Sequence, residues 1–171
     1  ERSAETGEHY ITRDRQQYAS MLRKAAGGGA LTAGTTWLKY LIMGLGLSAF
    51  WGGFWAGTMY AASFVVIQLL HLTLATKQPA MTAPAMAAKL KDIGTPEATS
   101  AFVDEVANLV RSQVAAVLGN VVVVVPTVVL LSLGIALALG HPMISEKEAE
   151  YTLHSLSLLG PTLLFAAFTG C

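Results

Sequence analysis

Charge is scarce in this sequence: 13% of its residues are Asp, Glu, Lys or Arg, roughly half the share of a soluble domain. That composition argues against a water-soluble globule. A single cysteine, Cys171, excludes an internal disulfide framework and a zinc site built from cysteines. Neither sign is in excess, with 11 Lys+Arg against 11 Asp+Glu, so no overall basic field recruits nucleic acid. There is no P-loop, dinucleotide fingerprint, His-Glu-x-x-His helix or Gly-x-Ser-x-Gly elbow. The start has no basic, apolar and small-residue pattern of a signal peptide, so targeting is expected in the spans or upstream. What is plentiful is apolar surface, at 53% of 171 residues. The chain begins at Glu1 and stops at Cys171 inside an apolar run from Leu158, and is read as a piece of a longer protein.

The gaps between charges set the expected architecture, an all-α multi-pass transmembrane bundle with amphipathic cytoplasmic helices. From Ala25 to Thr76, 52 residues carry one charge, Lys39. A span needs about 20 apolar residues, so this stretch fits a transmembrane hairpin over 29–76, with its turn at the glycines of 44–48. A second gap, 34 residues from Ser112 to Ser145, predicts a third span over 113–139. Its centre is a valine run ending at Pro126, which should kink it. Residues 140–150 would form an external loop and 151–171 the start of a truncated fourth span. Arg2, Arg13, Arg15, Arg23 and Lys24 precede the hairpin, and Lys77, Lys89, Lys91 and Arg111 follow it, whereas 44–48 carry none. The positive-inside rule therefore places 1–28 and 77–112 in the cytoplasm.

Two cytoplasmic pieces have local signals. Thr12 is predicted to cap a juxtamembrane helix from Arg13 to about Ala26, with Arg23 and Lys24 at lipid headgroups and Gly27-Gly28-Gly29 ending or hinging it. In the connection, Pro79 and Pro84 should keep the first residues out of a continuous helix, with a short helix over 85–91. Thr95-Pro96-Glu97 is a strong helix start, followed by an apolar stripe of Phe102, Val103, Val106, Leu109 and Val110.

Several residues are candidates for function. Lys39 falls midway along the first span, where an ionisable group marks a polar cavity, ion pair or proton step, unless it snorkels beside Trp37 and Tyr40. His71 closes the second span near Gln68 and is either proton-linked or hydrogen-bonded at the interface. Ala49, Gly53, Gly57 and Ala61 recur every four residues and suit close helix packing. Asn120 and Gln113 are interhelical hydrogen-bond groups. For phosphodiester chemistry, His9, Tyr10, Arg13, Arg15 and Tyr18 lie together, but in one short segment without a second basic cluster. No metal site and no cofactor are expected.

Four stretches, His9-Tyr-Ile-Thr-Arg-Asp-Arg, Leu22-Arg-Lys-Ala-Ala-Gly-Gly-Gly, Leu74-Ala-Thr-Lys-Gln-Pro-Ala-Met-Thr-Ala-Pro-Ala and Phe102-Val-Asp-Glu-Val-Ala-Asn-Leu-Val-Arg-Ser-Gln, resemble the bacterial family of site-specific recombinases of the gonococcal crossover type. The third holds a loop motif, Lys77, Gln78, Pro79, Thr82 and Pro84. The likeness covers most of the chain and implies the membrane-embedded C-terminal half of a long protein. The family name implies DNA recombination; it brings no catalytic residues with it. The first expectation for function is a membrane anchor or scaffold for an upstream domain. The alternatives are a transporter or channel segment using Lys39, His71, Asn120 and Pro126, and a literal recombinase touching DNA through its cytoplasmic bases. Expected partners are the lipid bilayer and other helices of the full-length chain or a second copy; nucleic acid is not expected for this fragment.

Overall fold

The computed structural model describes residues 7–90, 93–157, 159–164 and 167, which are helical or in turns, with no strand among them. Five α-helices follow a 3-10 turn at Gly7–Tyr10: α1 Arg15–Gly44, α2 Ala49–Leu69, α3 Gln78–Leu90, α4 Pro96–Leu139 and α5 Glu146–Ser155. The core of the fold is the crossing of α1 with α4.

Helix α1 starts at Arg15, two residues later than predicted. Asp14, not Thr12, accepts the first free amide, from Gln17 N at 2.7 Å. Thr12 is recruited instead into a tertiary contact, its N–H and hydroxyl both meeting Ser112 Oγ, at 2.7 and 2.8 Å. The triple glycine neither ends nor hinges the helix, which runs on to Gly44. Glycine weakens a helix interior, but here it permits contact no side chain would allow. A Cβ on Gly28 would stand 2.5 Å from the Thr73 carbonyl oxygen, one on Gly29 2.5 Å from that of Asn120, and one on Gly119 2.6 Å from Ala25 Cβ. Ala25 and Gly29 of α1 thus meet α4 at Gly119 and Asn120, and Ala33 of α1 and Ser112, Ala115 and Ala116 of α4 are buried along the same two helices. Small residues at four-residue spacing bring the two backbones together.

The chain reverses at 45–48, where Gly46 takes φ 61° and Ser48 caps α2. The Thr35 hydroxyl, 2.9 Å from Ser63 Oγ, ties α2 back to α1. After α2, His71 adopts a left-handed φ of 51° and donates its N–H to Gln68 O. The expected break at the prolines does not occur: α3 runs from Gln78 to Leu90 through Pro84. Burial of Gln78 and Thr82, one turn apart, supplies the tertiary packing that outweighs the lost backbone bond.

Helix α4 opens where predicted, with the Thr95 side chain accepting from Ala98 N at 3.2 Å and Pro96 as its first residue. The segments expected as an amphipathic cytoplasmic helix and a third span form one element of 44 residues that passes through Pro126. At 1.5 Å per residue it is about 66 Å long, twice the ~30 Å of a bilayer core. Its buried face is not the predicted apolar stripe, since Val103 and Val110 are exposed, but the small and polar one of Glu105, Ser112, Ala115, Ala116 and Gly119.

Two helices are long and apolar enough to cross a membrane, α2 and α4, and their most apolar windows are only 6% and 0% buried within the chain. The core helix of a soluble protein would be mostly covered. The outer half of α1, expected as the first span, does not reach the same apolarity; Thr32, Thr35, Thr36 and Lys39 dilute it. Helix α5 begins inside the expected external loop and closes at Ser155, with a capping box between Ser145 and Glu148. Of the segment expected to open a fourth span, residues 158, 165–166 and 168–171 lie outside the described residues.

Candidate functional site

The polar side chains gather at one end of the α1–α4 crossing, where the arm before α1, helix α3 and the first half of α4 meet. At its centre is Glu105, 5% exposed. The Arg13 guanidinium holds both carboxylate oxygens, Nε reaching Oε2 at 3.2 Å and Nη2 meeting Oε1, and the Lys89 ammonium also meets Oε1. Burial alone would raise the Glu105 pKa. The hydrogen bond from Arg13, aided by Lys89, overrides it and holds the group down at about 2. One carboxylate on α4 thereby ties down the arm and α3.

A second tie lies two turns along. Arg111 Nη2 donates to Thr12 O at 3.1 Å, with its guanidinium 5.8 Å from the Tyr18 ring centroid, while Ser112 donates to Asn108 O and meets Thr12. The third is Asn120. Its Nδ2 donates to Ala25 O at 2.6 Å and Thr73 O at 3.1 Å, and its Oδ1 accepts from Ala75 N at 2.9 Å. Thr73 N in turn donates to Lys24 O at 3.2 Å. The loop after α2 is therefore fastened to both crossing helices at the point where the glycines bring them together.

Between the arm, the first turns of α1 and the loop after α2 lies a cavity of about 770 Å³, bordered by Arg13, Gln16, Ser20, Lys24, Gln68 and His71 among others.

The predicted residues divide sharply. Asn120 is a structural clamp. Lys39 is partly exposed on α1, with no hydrogen bond or ion pair to the described residues, while the neighbouring Thr35 and Thr36 hydroxyls donate to Leu31 O and Thr32 O. His71 is exposed at the cavity rim, away from Lys39. The ridge of Ala49, Gly53, Gly57 and Ala61 is exposed, and a Cβ on Gly53 or Gly57 would meet nothing within 4 Å. Of the loop motif, Gln78 is fully buried, donating Nε2 to Met21 Sδ at 3.3 Å, and Thr82 is buried beside it. Lys77 stands 5.3 Å from the Phe64 ring centroid, and Pro79 and Pro84 are helical residues of α3. Among the described residues, no three His, Cys, Asp or Glu side chains group as they would around a metal ion.

Sequence reasoning missed Glu105 and Ser112 and read Thr12 as a cap rather than as the partner of Ser112. Ser112, Ala116 and the Ala115–Gly119 pair carry the same four-residue spacing that singled out the α2 ridge, and Ala25-x-x-x-Gly29-x-x-x-Ala33 repeats it on α1. Ending α1 at the glycines concealed that match.

The sequence pattern of the family described as Site-specific recombinase matches residues 1–171. The chain belongs to this site-specific recombinase family. No curated protein matches it, and no solved structure does.

Proposed function

We propose that this site-specific recombinase family chain is an integral inner-membrane anchor and scaffold, with its polar end as the junction to the rest of a larger protein. The observation that carries this reading is the contrast between the two ends of the same helices. The polar end is cross-tied through Glu105, Ser112 and Asn120, while the apolar lengths of α2 and α4 are left uncovered by the chain itself. Such uncovered lengths suit lipid on most sides and other helices on the rest. Val103, Val110, Val114, Val117 and Val121, exposed at alternating spacings of seven, four and three along α4, suit a helix of the full-length chain or a second copy. The distribution of Lys and Arg supports a cytoplasmic polar end.

For DNA chemistry a nucleophile would need clustered bases. Arg13 is engaged by Glu105, and Arg111 by Thr12 and Tyr18, which gives both a structural task. For transport, Asn120 is likewise committed to the helix crossing. The test is extraction of bacterial membranes expressing the chain. Retention in the pellet after alkaline carbonate, with release only by detergent, is the expected result; release by carbonate would refute the anchor.

A further inference from the structure

The cavity at the polar end borders the ties described above, sharing Thr12, Arg13 and Thr73 with them, and its lining carries more cations than carboxylates. Its cations are Lys24 and Arg13 against one carboxylate, Asp14, which keeps its charge while one of its oxygens caps α1 by accepting from Gln17 N at 2.7 Å. Arg13 is committed to Glu105, which leaves the exposed Lys24 ammonium as the cation available to a ligand. Around it, Gln16, Ser20, Gln68 and His71 can each offer an N–H or O–H from α1 and from the end of α2. The floor is apolar, made by Ile11, Met21 and Leu72. A volume of about 770 Å³ falls within the range of small-ligand sites. An acceptor-rich anion with an attached apolar portion matches this set, because phosphate oxygens take several donors at once while an ammonium supplies the countercharge.

The height of the cavity selects the source of that phosphate. Gln68, His71 and Leu72 stand where α2 ends, beside the exposed Phe64, Val65 and Leu69 of its apolar surface. If α2 crosses the bilayer, the cavity opens at the headgroup level of that leaflet. We propose that it is a phosphate site that receives the headgroup of an anionic phospholipid, with Lys24 as its charged anchor. This rests on the membrane reading above for the source of the ligand, though not for the phosphate chemistry.

The experiment uses the full chain in neutral-lipid nanodiscs titrated with phosphatidylglycerol, and in detergent titrated with inorganic phosphate. Lys24→Gln should weaken phosphatidylglycerol binding about tenfold or more, the effect of losing a direct charge-assisted hydrogen bond rather than one cation's diffuse attraction. Arg23→Gln removes the same charge from the neighbouring position, outside the cavity lining, and should weaken binding by no more than the roughly fivefold diffuse effect of one surface cation, clearly less than Lys24→Gln. Ser20→Ala, with no charge change, should weaken binding measurably, which a diffuse surface attraction would not. Equal losses in Lys24→Gln and Arg23→Gln would overturn the site. Saturable phosphate binding lost in Lys24→Gln, with no preference for phosphatidylglycerol over neutral lipid, would overturn the lipid as its source and leave the phosphate chemistry standing. Failure of the chain to enter nanodiscs refutes the membrane reading, and the detergent arm then tests the cavity alone.

Discussion

Asn120 Nδ2 donates to the carbonyl oxygen of Ala25 at 2.6 Å, so a side chain of α4 grips the backbone of α1 at the level of its three glycines. The same amide also holds Thr73 and Ala75. Asn120→Ala leaves the buried Thr73 carbonyl and the Ala75 N–H without these partners. A loss of about 2–3 kcal/mol follows from unmade buried hydrogen bonds. Thermal unfolding in detergent should show it, and Asn120→Asp, which sets a carboxylate against two carbonyls, should be at least as damaging.

The glycines give a paired prediction. Gly29→Ala places a methyl against the Asn120 backbone, which cannot move aside as a side-chain tip can, and should cost about 2–4 kcal/mol through separation of α1 and α4. Gly53→Ala meets open space within the chain and should be neutral or stabilising by up to about 1 kcal/mol. Unfolding midpoints of the two variants should therefore move in different directions. Gly53→Leu serves as a probe of the exposed ridge: the chain offers it no clash, so a lowered stability or a lost oligomer would reveal a partner helix seated there.

Much of the helical content was legible because its signals are local. Thr95-Pro96 starts α4, and Gly46 and Ser48 mark the reversal between α1 and α2. What was not legible depends on contacts distant in sequence. Thr12 reads as a cap until Ser112, one hundred residues away, takes its hydroxyl. The glycines read as a break until Asn120 and Thr73 are seen against them. Pro84 reads as a stop until Gln78 and Thr82 are buried. At the site, Asn120 was visible as a lone amide in an apolar run, but Glu105 was hidden among ordinary charges of an amphipathic helix, since its role rests on Arg13 and Lys89 from two other segments.

Acid should loosen the polar end. The folded pKa of Glu105 lies at about 2, below its ordinary 4.5, so its contribution is complete above about pH 4.5 and is lost as pH falls through about 2. A shift of that size corresponds to roughly 3 kcal/mol, reduced toward about 2 by the partial exposure of Arg13 and Lys89. Glu105→Gln should remove most of this pH dependence and lower stability at pH 7, as followed by unfolding midpoints between pH 2 and 7. An unaltered pH profile in that variant would contradict the assignment.

Lys39 has no partner among the described residues, so Lys39→Met should leave the unfolding midpoint unchanged or raise it. Lysine modification with a water-soluble amine reagent should reach it if it snorkels, and a marked loss of stability in Lys39→Met would point to an acceptor on another helix.

The placement of both ends of the helices relative to the bilayer is tested most directly by labelling single-cysteine variants with a membrane-impermeant maleimide, in a Cys171→Ser background. Ser20→Cys and Ser100→Cys lie at the polar end, Ser48→Cys at the α1–α2 reversal, and Ser145→Cys at the cap of α5. Ser20→Cys and Ser100→Cys should react from the cytoplasmic side alone, and Ser48→Cys and Ser145→Cys from the opposite side alone. Labelling of Ser48→Cys and Ser100→Cys from the same side would contradict a membrane-crossing α2 with a cytoplasmic polar end.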